Sequence, residues 1–522
     1  MPEFTCPDDL PGAATSPWLA TTLEDEVESE RNDEMPRSAL LERDRPVDAA
    51  VVGGGIAGLS TAIELRERGQ TVVVLERDRV ATGVTGKSTA KLTSQHGLIY
   101  DHLRREFGRR AAGQYARVQE SAIDVVEERI DELGVDCGFE RQPSYLYGDS
   151  PDEMEREADA ARQAGLSAAY VTSVPPFERA QAGVRFDEQA WFHPRRYLLA
   201  IADALRADEG AAVLEGARVT DVEPGAPCRV GLERGTLSAR RIVVATGFPI
   251  LDRAGYFARM HPKRSYVLGL RIDGRPPEGM YYRPGDNYRS VRTHRDEDGD
   301  LLLVGGENHK TGQGGSTTER YRRLLAWARD RFPVASVDYR WSTQDYQPAD
   351  KVPLVGRAGP TAENVYVATG FRGWGMTNGV AAGRLLADLL AGERPPECDL
   401  FDPLRFTPKT SFSSTVTENA DAASEFATDW LQTLLSDDSA SLSSGEGRVF
   451  RHGGKPIACA RDADGTLHAT SAVCTHMYCL VEWNDAECSW DCPCHGSRFS
   501  PDGEVLEGPA TAELADREPP GE

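Results

Sequence analysis

Lysine is almost missing from this chain. There are seven in 522 residues, so nearly all of the 59 basic side chains are arginine, and 83 acidic ones outnumber them for a formal net charge of −24. So acidic a surface repels phosphate backbones, and no nucleic acid partner is expected. Carboxylate excess with little lysine is also the composition of a protein that holds its water at high salt. That halophilic expectation says nothing about the reaction. No apolar run reaches the roughly 18 residues of a spanning helix. The start, MPEFTCPDDLPG, has neither the basic residues nor the apolar stretch of a secretory signal. No membrane span is expected, and the expected location is cytoplasmic. Internal repeats are lacking. Cysteine is too sparse and uneven for a disulfide scaffold: of ten, five (Cys474, Cys479, Cys488, Cys492, Cys494) fall within 21 residues. That cluster points to a metal site.

What is present falls into blocks, as a chain too long for one core requires. Residues 1–45 carry the run LEDEVESERNDE with little periodicity and are expected to be a solvated acidic arm or short helix without chemistry. From Asp48 the pattern is strand, glycine turn, helix, strand, which opens a βαβ unit. Residues 403–440 are rich in Ser, Thr, Ala and Asp and read as a linker, with SEFATDWLQTLLS as an amphipathic docking helix. Residues 441–522 alternate in short segments broken by Gly and Asp-Gly turns, the pattern of a small all-β domain.

The βαβ opening carries GxGxxG as Gly53, Gly55 and Gly58, after the strand AAVV and at the start of a helix. Glu76 ends the next strand 18 residues after Gly58. The first glycine permits the tight turn, the second lets backbone approach a pyrophosphate, and the third lets helix and strand pack. The helix N-terminus attracts the anion and Glu76 accepts from a ribose. This predicts dinucleotide binding over a merely structural turn, but does not separate FAD from NAD. Two segments do: ARRIVVATGFPI (239–250), with Gly247, and NVYVATGFRGWGMTNG from residue 364, with Gly373, Gly375, Met376 and Thr377. Together with TGVTGKSTAKLTSQHG, their order resembles the FAD-dependent D-amino acid oxidase and glycine oxidase superfamily over residues 46–402.

That resemblance implies an α/β FAD-binding (Rossmann-like) domain with an antiparallel substrate-binding sheet at about 256–335. It implies that the loop Lys87, Ser88, Thr89, Ala90 and Lys91 wraps the FAD phosphates, that the backbone of Val219 meets the adenine, and that the closing helix points its N-terminus at the flavin. GVTGKST is not an ATP-binding P-loop, because Ala81 occupies the first glycine position. A second GxGxxG with a following acidic strand is absent, which disfavours reduction by a nicotinamide and favours a small-molecule donor. Family members oxidise an amine carbon, and an arginine often holds the substrate carboxylate. Arg289 and Arg292 are the candidates for that clamp, and His96 for a residue near the ring.

At the other end CTHMYC supplies Cys474 and His476 and CPCH supplies Cys492 and His495, with 15 residues between His476 and Cys492. Two such pairs serve either a [2Fe-2S] cluster or a tetrahedral zinc. With HGS and DGEVLEGPA following, the segment resembles a Rieske [2Fe-2S] domain, in which two thiolates hold one iron and two imidazoles the other. The resemblance further implies a disulfide between Cys479 and Cys494, a hydrogen bond from Ser497 to a bridging sulfide, and Phe499 where high-potential members have tyrosine. Cys488, Cys6, Cys137, Cys228, Cys398 and Cys459 are expected to be ordinary thiols. The expected function is an FAD-dependent dehydrogenase that oxidises an amine or amino acid and passes electrons singly through the cluster to an external carrier. The alternatives are a reductase fed at the cluster by a ferredoxin, and a non-catalytic redox sensor.

Overall fold

The computed structural model describes residues 4, 6, 9–27, 45–177, 179–250, 255–405, 407 and 442–519. The expected docking helix and nearly all of the linker lie outside the described residues. Among those described, no helix is long and apolar enough to cross a membrane.

Val47–Val52, Val72–Leu75 and Ala211–Leu214 are short β-branched and alanine-rich runs, almost wholly buried. Such strands need cover on both faces, and they form the parallel part of a sheet whose edge strand Leu354–Arg357 runs antiparallel to its neighbour. Its order runs from Leu354–Arg357 through Val365–Thr369, Gly235–Val244, Val47–Val52 and Val72–Leu75 to Ala211–Leu214. The fingerprint helix Ile56–Glu67 and the closing helix Gly375–Ala391 lie side by side on one face. A Cβ on Gly379 would stand 2.7 Å from Ile56, and one on Gly383 2.7 Å from Ser60, so glycine is what lets the two axes approach. Residue numbers rise together along both, so the helices are parallel and their N-termini emerge together beyond the carboxyl ends of the strands.

The substrate sheet is wider than the sequence suggested. Met260–Ile272, Met280–Arg283, Arg289–Asp296 and Gly299–Lys310 belong to it as expected, but it continues through Val334–Pro348. It also takes up Lys91–Leu92, Glu140–Gly148, Ala168–Val171 and Ala182–Trp191 from far upstream. Those earlier strands alternate with helices along the chain, so local pattern does not reveal which sheet they join.

The N-terminal segment also departs from expectation. Pro17–Val27 is a helix whose Trp18 is fully buried. Ser16 accepts from Leu19 N–H (3.3 Å) and donates to Gly86 O (2.5 Å), while the Trp18 indole donates to Ser88 O (2.8 Å). The arm therefore braces the 84–88 loop. The charged run after it masked the short apolar stretch PWLATTL, which begins as a helix should, with Ser before Pro.

Gly447–His452, Lys455–Arg461 and Leu467–Ser471 form one small sheet of the C-terminal domain, and Glu482–Asn484, Ser489–Asp491, Arg498–Phe499 and Val505–Glu507 another. Trp490, Phe499, Leu480 and Val481 fill the space between. This domain packs on the substrate sheet. Asp485 accepts from Thr317 N–H (2.7 Å) and from Ser316 Oγ (2.6 Å), so its carboxylate sits at the start of the helix Thr317–Arg329. Glu487 pairs with Arg264, accepts from Ser342 Oγ, and is 2.5 Å from Arg498, which also holds Asp491 at 2.8 Å. Cys6 and Cys488, expected to be free thiols, are joined in a disulfide across 482 residues. Nothing in their local sequence distinguishes them from unpaired cysteines; only the return of the chain brings them together.

Candidate functional site

The glycine turn leaves no room for side chains. Gly53 has φ +109 and a Cβ there would stand 2.5 Å from Ala245 O; on Gly58 a Cβ would meet Gly53 O at 1.9 Å. The helix N-cap, Gly55, carries no side-chain cap, so the first-turn N–H groups face outward. Thr85, which sequence reasoning passed over, accepts from Ile56 N–H (3.2 Å) and closes one side of the turn. Glu76 accepts from Gly54 N–H at 2.6 Å and Asp78 N–H at 2.9 Å, and Ala217, two residues before Val219, donates to the Glu76 carbonyl (2.8 Å). Backbone donors, an acidic strand end and a cradle that any Cβ would fill suit the pyrophosphate and ribose of a dinucleotide. Of the loop expected to wrap the phosphates, Lys87 and Ser88 present carbonyls to Trp341 and Trp18. Lys91 is turned away: its amine donates to Tyr281 O (2.6 Å) and Ser290 Oγ (2.7 Å) in the substrate sheet, and burial with Arg292 nearby holds its pKa well below the ordinary lysine value.

The closing helix begins after Trp374, beside a group of aromatic and charged side chains. The Trp374 ring stacks on His96 (5.0 Å, 24°) and lies 4.8 Å from Tyr282, which lies 5.4 Å from Tyr288. His96 is locked. Thr377 Oγ donates to Thr93 O (2.8 Å), so it accepts from His96 Nε2 (3.0 Å), and His96 Nδ1 then accepts from the Tyr115 hydroxyl (2.6 Å). Burial lowers the His96 pKa to about 3, so the ring is neutral and has no spare nitrogen. Arg372 lies in the same group with φ +58, a conformation that a non-glycine residue adopts at a cost of order 1–3 kcal/mol. Its Nη1 donates to Lys351 O (3.0 Å), and its Nε is buried without a partner. Asp345 accepts from Gly373 N–H and faces Tyr282 and Tyr288; burial raises its pKa to about 6. Asp345, Tyr282, Tyr288 and Arg372 are half-buried neighbours, and together they bound a recess at the start of the closing helix, the chamber.

Neither sequence candidate for the clamp lines that chamber with them. Arg289 points to the opposite face, paired with Glu307 at 2.8 Å and stacked over Trp327 at 5.3 Å. Arg292 lies fully buried between Trp18 and Trp191 (5.3 and 5.4 Å) and donates to Ala90 O (3.2 Å). Arg372 was legible only as a residue inside GFRGWG. Gly247, at the end of its strand with φ +77, has open space where a Cβ would stand.

In the C-terminal domain, Cys474 lies in the loop before Glu482–Asn484, and Cys492 follows Ser489–Asp491. Their thiols are hydrogen-bonded to each other, and Ser497 also bonds Cys474. The rings of His476 and His495 stand 5.1 Å apart at 90°. His495 Nδ1 is buried without a hydrogen-bond partner, and burial, with His476 beside it, lowers its pKa to about 4. A neutral imidazole with an orphaned nitrogen beside a second imidazole, and two thiols in contact, are the donor sets a histidine- and cysteine-ligated iron pair requires. The sulfur of Cys492 also lies within 4.8 Å of those of Cys479 and Cys494. Those two are joined in a disulfide and have no thiolate to offer.

The two sites share a wall. Along the strand Val334–Pro348 successive side chains alternate in direction. Gln344 donates to Gly496 O (2.8 Å) and the Tyr346 hydroxyl to Gly508 O (2.6 Å), both on the C-terminal domain, whereas Asp345 between them faces the chamber. Phe257, just before the adjacent strand, packs its ring edge against His476 (5.9 Å) and His495 (5.4 Å). One strand lies between the histidine loops and the chamber.

Comparison with known proteins gives two family matches: the FAD dependent oxidoreductase (DAO) model over residues 48–389 and the Rieske [2Fe-2S] domain model over residues 432–517. A Bacillus subtilis chain described as a Rieske 2Fe-2S iron-sulfur protein, YhfW, is 36% identical over 488 residues, 92% of this chain and 95% of that one. The gamma-glutamylputrescine oxidoreductase of Escherichia coli is 26% identical over 373 residues, covering 66% of this chain and 84% of its own. In structure, the glycine oxidase of Geobacillus kaustophilus aligns with a TM-score of 0.58 at 19% identity, over 69% of this chain and 99% of that one.

Proposed function

The chain belongs to the DAO family of FAD-dependent oxidoreductases and carries a C-terminal Rieske [2Fe-2S] domain, and on that premise we propose a dehydrogenase that oxidises an amino acid or related amine and delivers the electrons to an external carrier. FAD, when bound, supplies the hydride acceptor, and the [2Fe-2S] cluster a one-electron outlet. The observation that carries the proposal is the shared wall: Gln344 and Tyr346 hold the cluster loops on one side of a strand whose Asp345 faces the chamber on the other.

The chamber offers what an amino acid needs. Asp345, ionised above about pH 6, takes the ammonium group. Tyr282, Tyr288 and Trp374 surround it with ring faces that favour a cation. Arg372, with an unpaired Nε, takes the carboxylate. The relatives named for gamma-glutamylputrescine and for glycine support an amine substrate. His96 serves as a fixed platform under Trp374, not as an acid or base, because both its nitrogens are committed. Gly53, Gly55, Gly58, Glu76, Thr85 and the backbone around Val219 hold the dinucleotide end of FAD. Cys474, Cys492, His476 and His495 hold the irons. The loop tip beside His476 exposes Met477 (45%) and Tyr478 (68%), an apolar spot suited to an incoming carrier protein.

Anaerobic stopped-flow mixing with an amino acid or amine tests the direction of flow. Flavin absorbance should bleach before the cluster signal changes. Cluster reduction that precedes flavin bleaching, or a ferredoxin that reduces the cluster faster than any amine bleaches the flavin, would reverse the assignment.

A further inference from the structure

On the face of the substrate sheet turned away from the chamber lies a second cavity of about 470 Å³ that the proposed chemistry does not use. Strand alternation puts it there: Tyr282 faces the chamber, so Tyr281 and Arg283 face the other way. Across the strands Tyr145 lies beside Tyr281 and Arg283 directly opposite Arg289. Tyr147, two residues beyond Tyr145, therefore rises on the same face. The helix Thr317–Arg329 and the turn after it close the cavity with Trp327, Arg331 and Phe332.

Packing does not explain this arrangement. Tyr147 is 3% exposed, its ring stacks on Phe177 at 4.4 Å, and its hydroxyl is buried with no hydrogen-bond partner. The charges around that hydroxyl are the guanidinium groups of Arg283, Arg289 and Arg331, with Asp149 beyond them. A buried hydroxyl without a partner costs about 1–3 kcal/mol, and like charges opposite each other across two strands are unfavourable. Asp149, Glu307 and Asp330 each pair with one of the arginines, which balances charge but gives the hydroxyl no acceptor. Arg289 Nε is likewise buried and unpaired. Donors from three strands and the turn after a helix converge where an acceptor is missing.

We propose that this cavity binds a small organic anion with a flat apolar body, whose carboxylate or phosphate oxygens accept from the Tyr147 hydroxyl and the surrounding guanidinium groups while the body lies against Phe177, Trp327 and Phe332. Its volume falls within the roughly 300–1,000 Å³ of small-molecule sites. The sheet separates it from the chamber, so the occupant is an effector and not a reactant.

Calorimetric titration of the holoprotein tests this, with indole-3-acetate and adenosine monophosphate as carboxylate and phosphate probes and with indole-3-ethanol and inorganic phosphate as single-feature controls. One site per chain is expected for at least one probe, about tenfold or more tighter than its control and without change in the flavin spectrum. Tyr147→Phe should weaken that binding about tenfold while the melting temperature holds or rises, because the variant removes a donor that packing leaves unsatisfied. Arg283→Met should weaken it similarly. The proposal is overturned if neither probe saturates, if binding perturbs the flavin spectrum, if Tyr147→Phe binds as the parent does, or if Tyr147→Phe melts lower.

Discussion

Gly312 and Glu487 are two places where docking of the cluster domain on the flavin domain can be weakened without substituting a residue that would hold either prosthetic group. Gly312 has φ +70, and a Cβ there would stand 2.6 Å from Pro493 N and 2.8 Å from Asp491 O. In Gly312→Ala the left-handed backbone costs about 1–2 kcal/mol, but that cost falls on the flavin domain whether or not its partner is docked. Only the overlap, about 1–3 kcal/mol against backbone atoms that cannot swing aside, belongs to docking. Glu487 is sandwiched between Arg264 and Arg498, and Glu487→Gln leaves buried guanidinium charge uncompensated, at about 3–5 kcal/mol. The double variant therefore removes roughly 4–8 kcal/mol, tenfold in the docking balance for every 1.4 kcal/mol. That is enough to release an interface of the kind found between domains of one chain. In anaerobic stopped-flow, substrate should still bleach the flavin at the parent rate, while cluster reduction should slow at least tenfold. Small-angle scattering should report a displaced domain. Parent-like cluster reduction with the domain displaced would refute the shared-wall route, and an undisplaced domain would refute the reading of the interface.

Acid should release the same interface in the parent protein. Burial raises the Glu487 pKa, but Arg264 and Arg498 together outweigh it and bring the value to about 2 from an ordinary 4.5. A depressed carboxylate stabilises fully above the unfolded value and loses that contribution as pH falls through the folded one, so docking measured by scattering should weaken between about pH 4.5 and 2. Asp345→Asn should raise KM for an amine substrate tenfold or more. It should also abolish a loss of kcat/KM below about pH 6, since in the proposed site the ammonium group is held only with Asp345 ionised. Phe499→Tyr should raise the cluster potential by about 60 mV, because a charge-assisted hydrogen bond of about 1.5 kcal/mol converts at roughly 59 mV per 1.4 kcal/mol for one electron. A titration with no change or a fall rejects that account, which places the parent below the top of the roughly −150 to +300 mV Rieske range.

What the sequence disclosed and what it hid divide along physical lines. Gly53, Gly55, Gly58 and Glu76, and the pairs Cys474–His476 and Cys492–His495, are legible because a turn or a ligand loop imposes fixed spacing over a few residues. The pairing of Cys479 with Cys494 was implied in the same way by family likeness, and the disulfide is present. Arg289 and Arg292 were chosen for being arginines in a substrate strand. They are three positions apart, so alternation sends them to opposite faces, and neither reaches the chamber. Arg372 and Asp345 come from segments 27 positions apart and meet only because the wall strand passes the start of the closing helix. Trp18 and Cys6 are longer-range still: no local pattern announces that the first residues run beneath the flavin loop and end on the cluster domain.

The shared wall also bears on whether the cluster domain must travel to deliver its electrons. Arg264 is 1% exposed and Arg498 4% exposed, so separating the domains would re-expose buried charges that belong to both. Asp485 would have to leave the helix start that it holds through four N–H and O–H donors: Ser316 Oγ, Thr317 N–H, Thr317 Oγ and Thr318 N–H. The Cys6–Cys488 bond adds a covalent tie between the cluster domain and a segment pinned under the flavin loop. A domain built to swing would meet its partner through a small, hydrated and easily re-wetted surface. Here the contact is a buried carboxylate, Glu487, held by Arg264 across the interface and by Arg498 within the cluster domain, and it is joined by the hydrogen bonds at Asp485 and the covalent Cys6–Cys488 tie. If electrons take the proposed route, fixed docking across one strand makes any excursion unnecessary for transfer between flavin and iron, and the exposed tip at Met477 and Tyr478 is where the proposed carrier would dock.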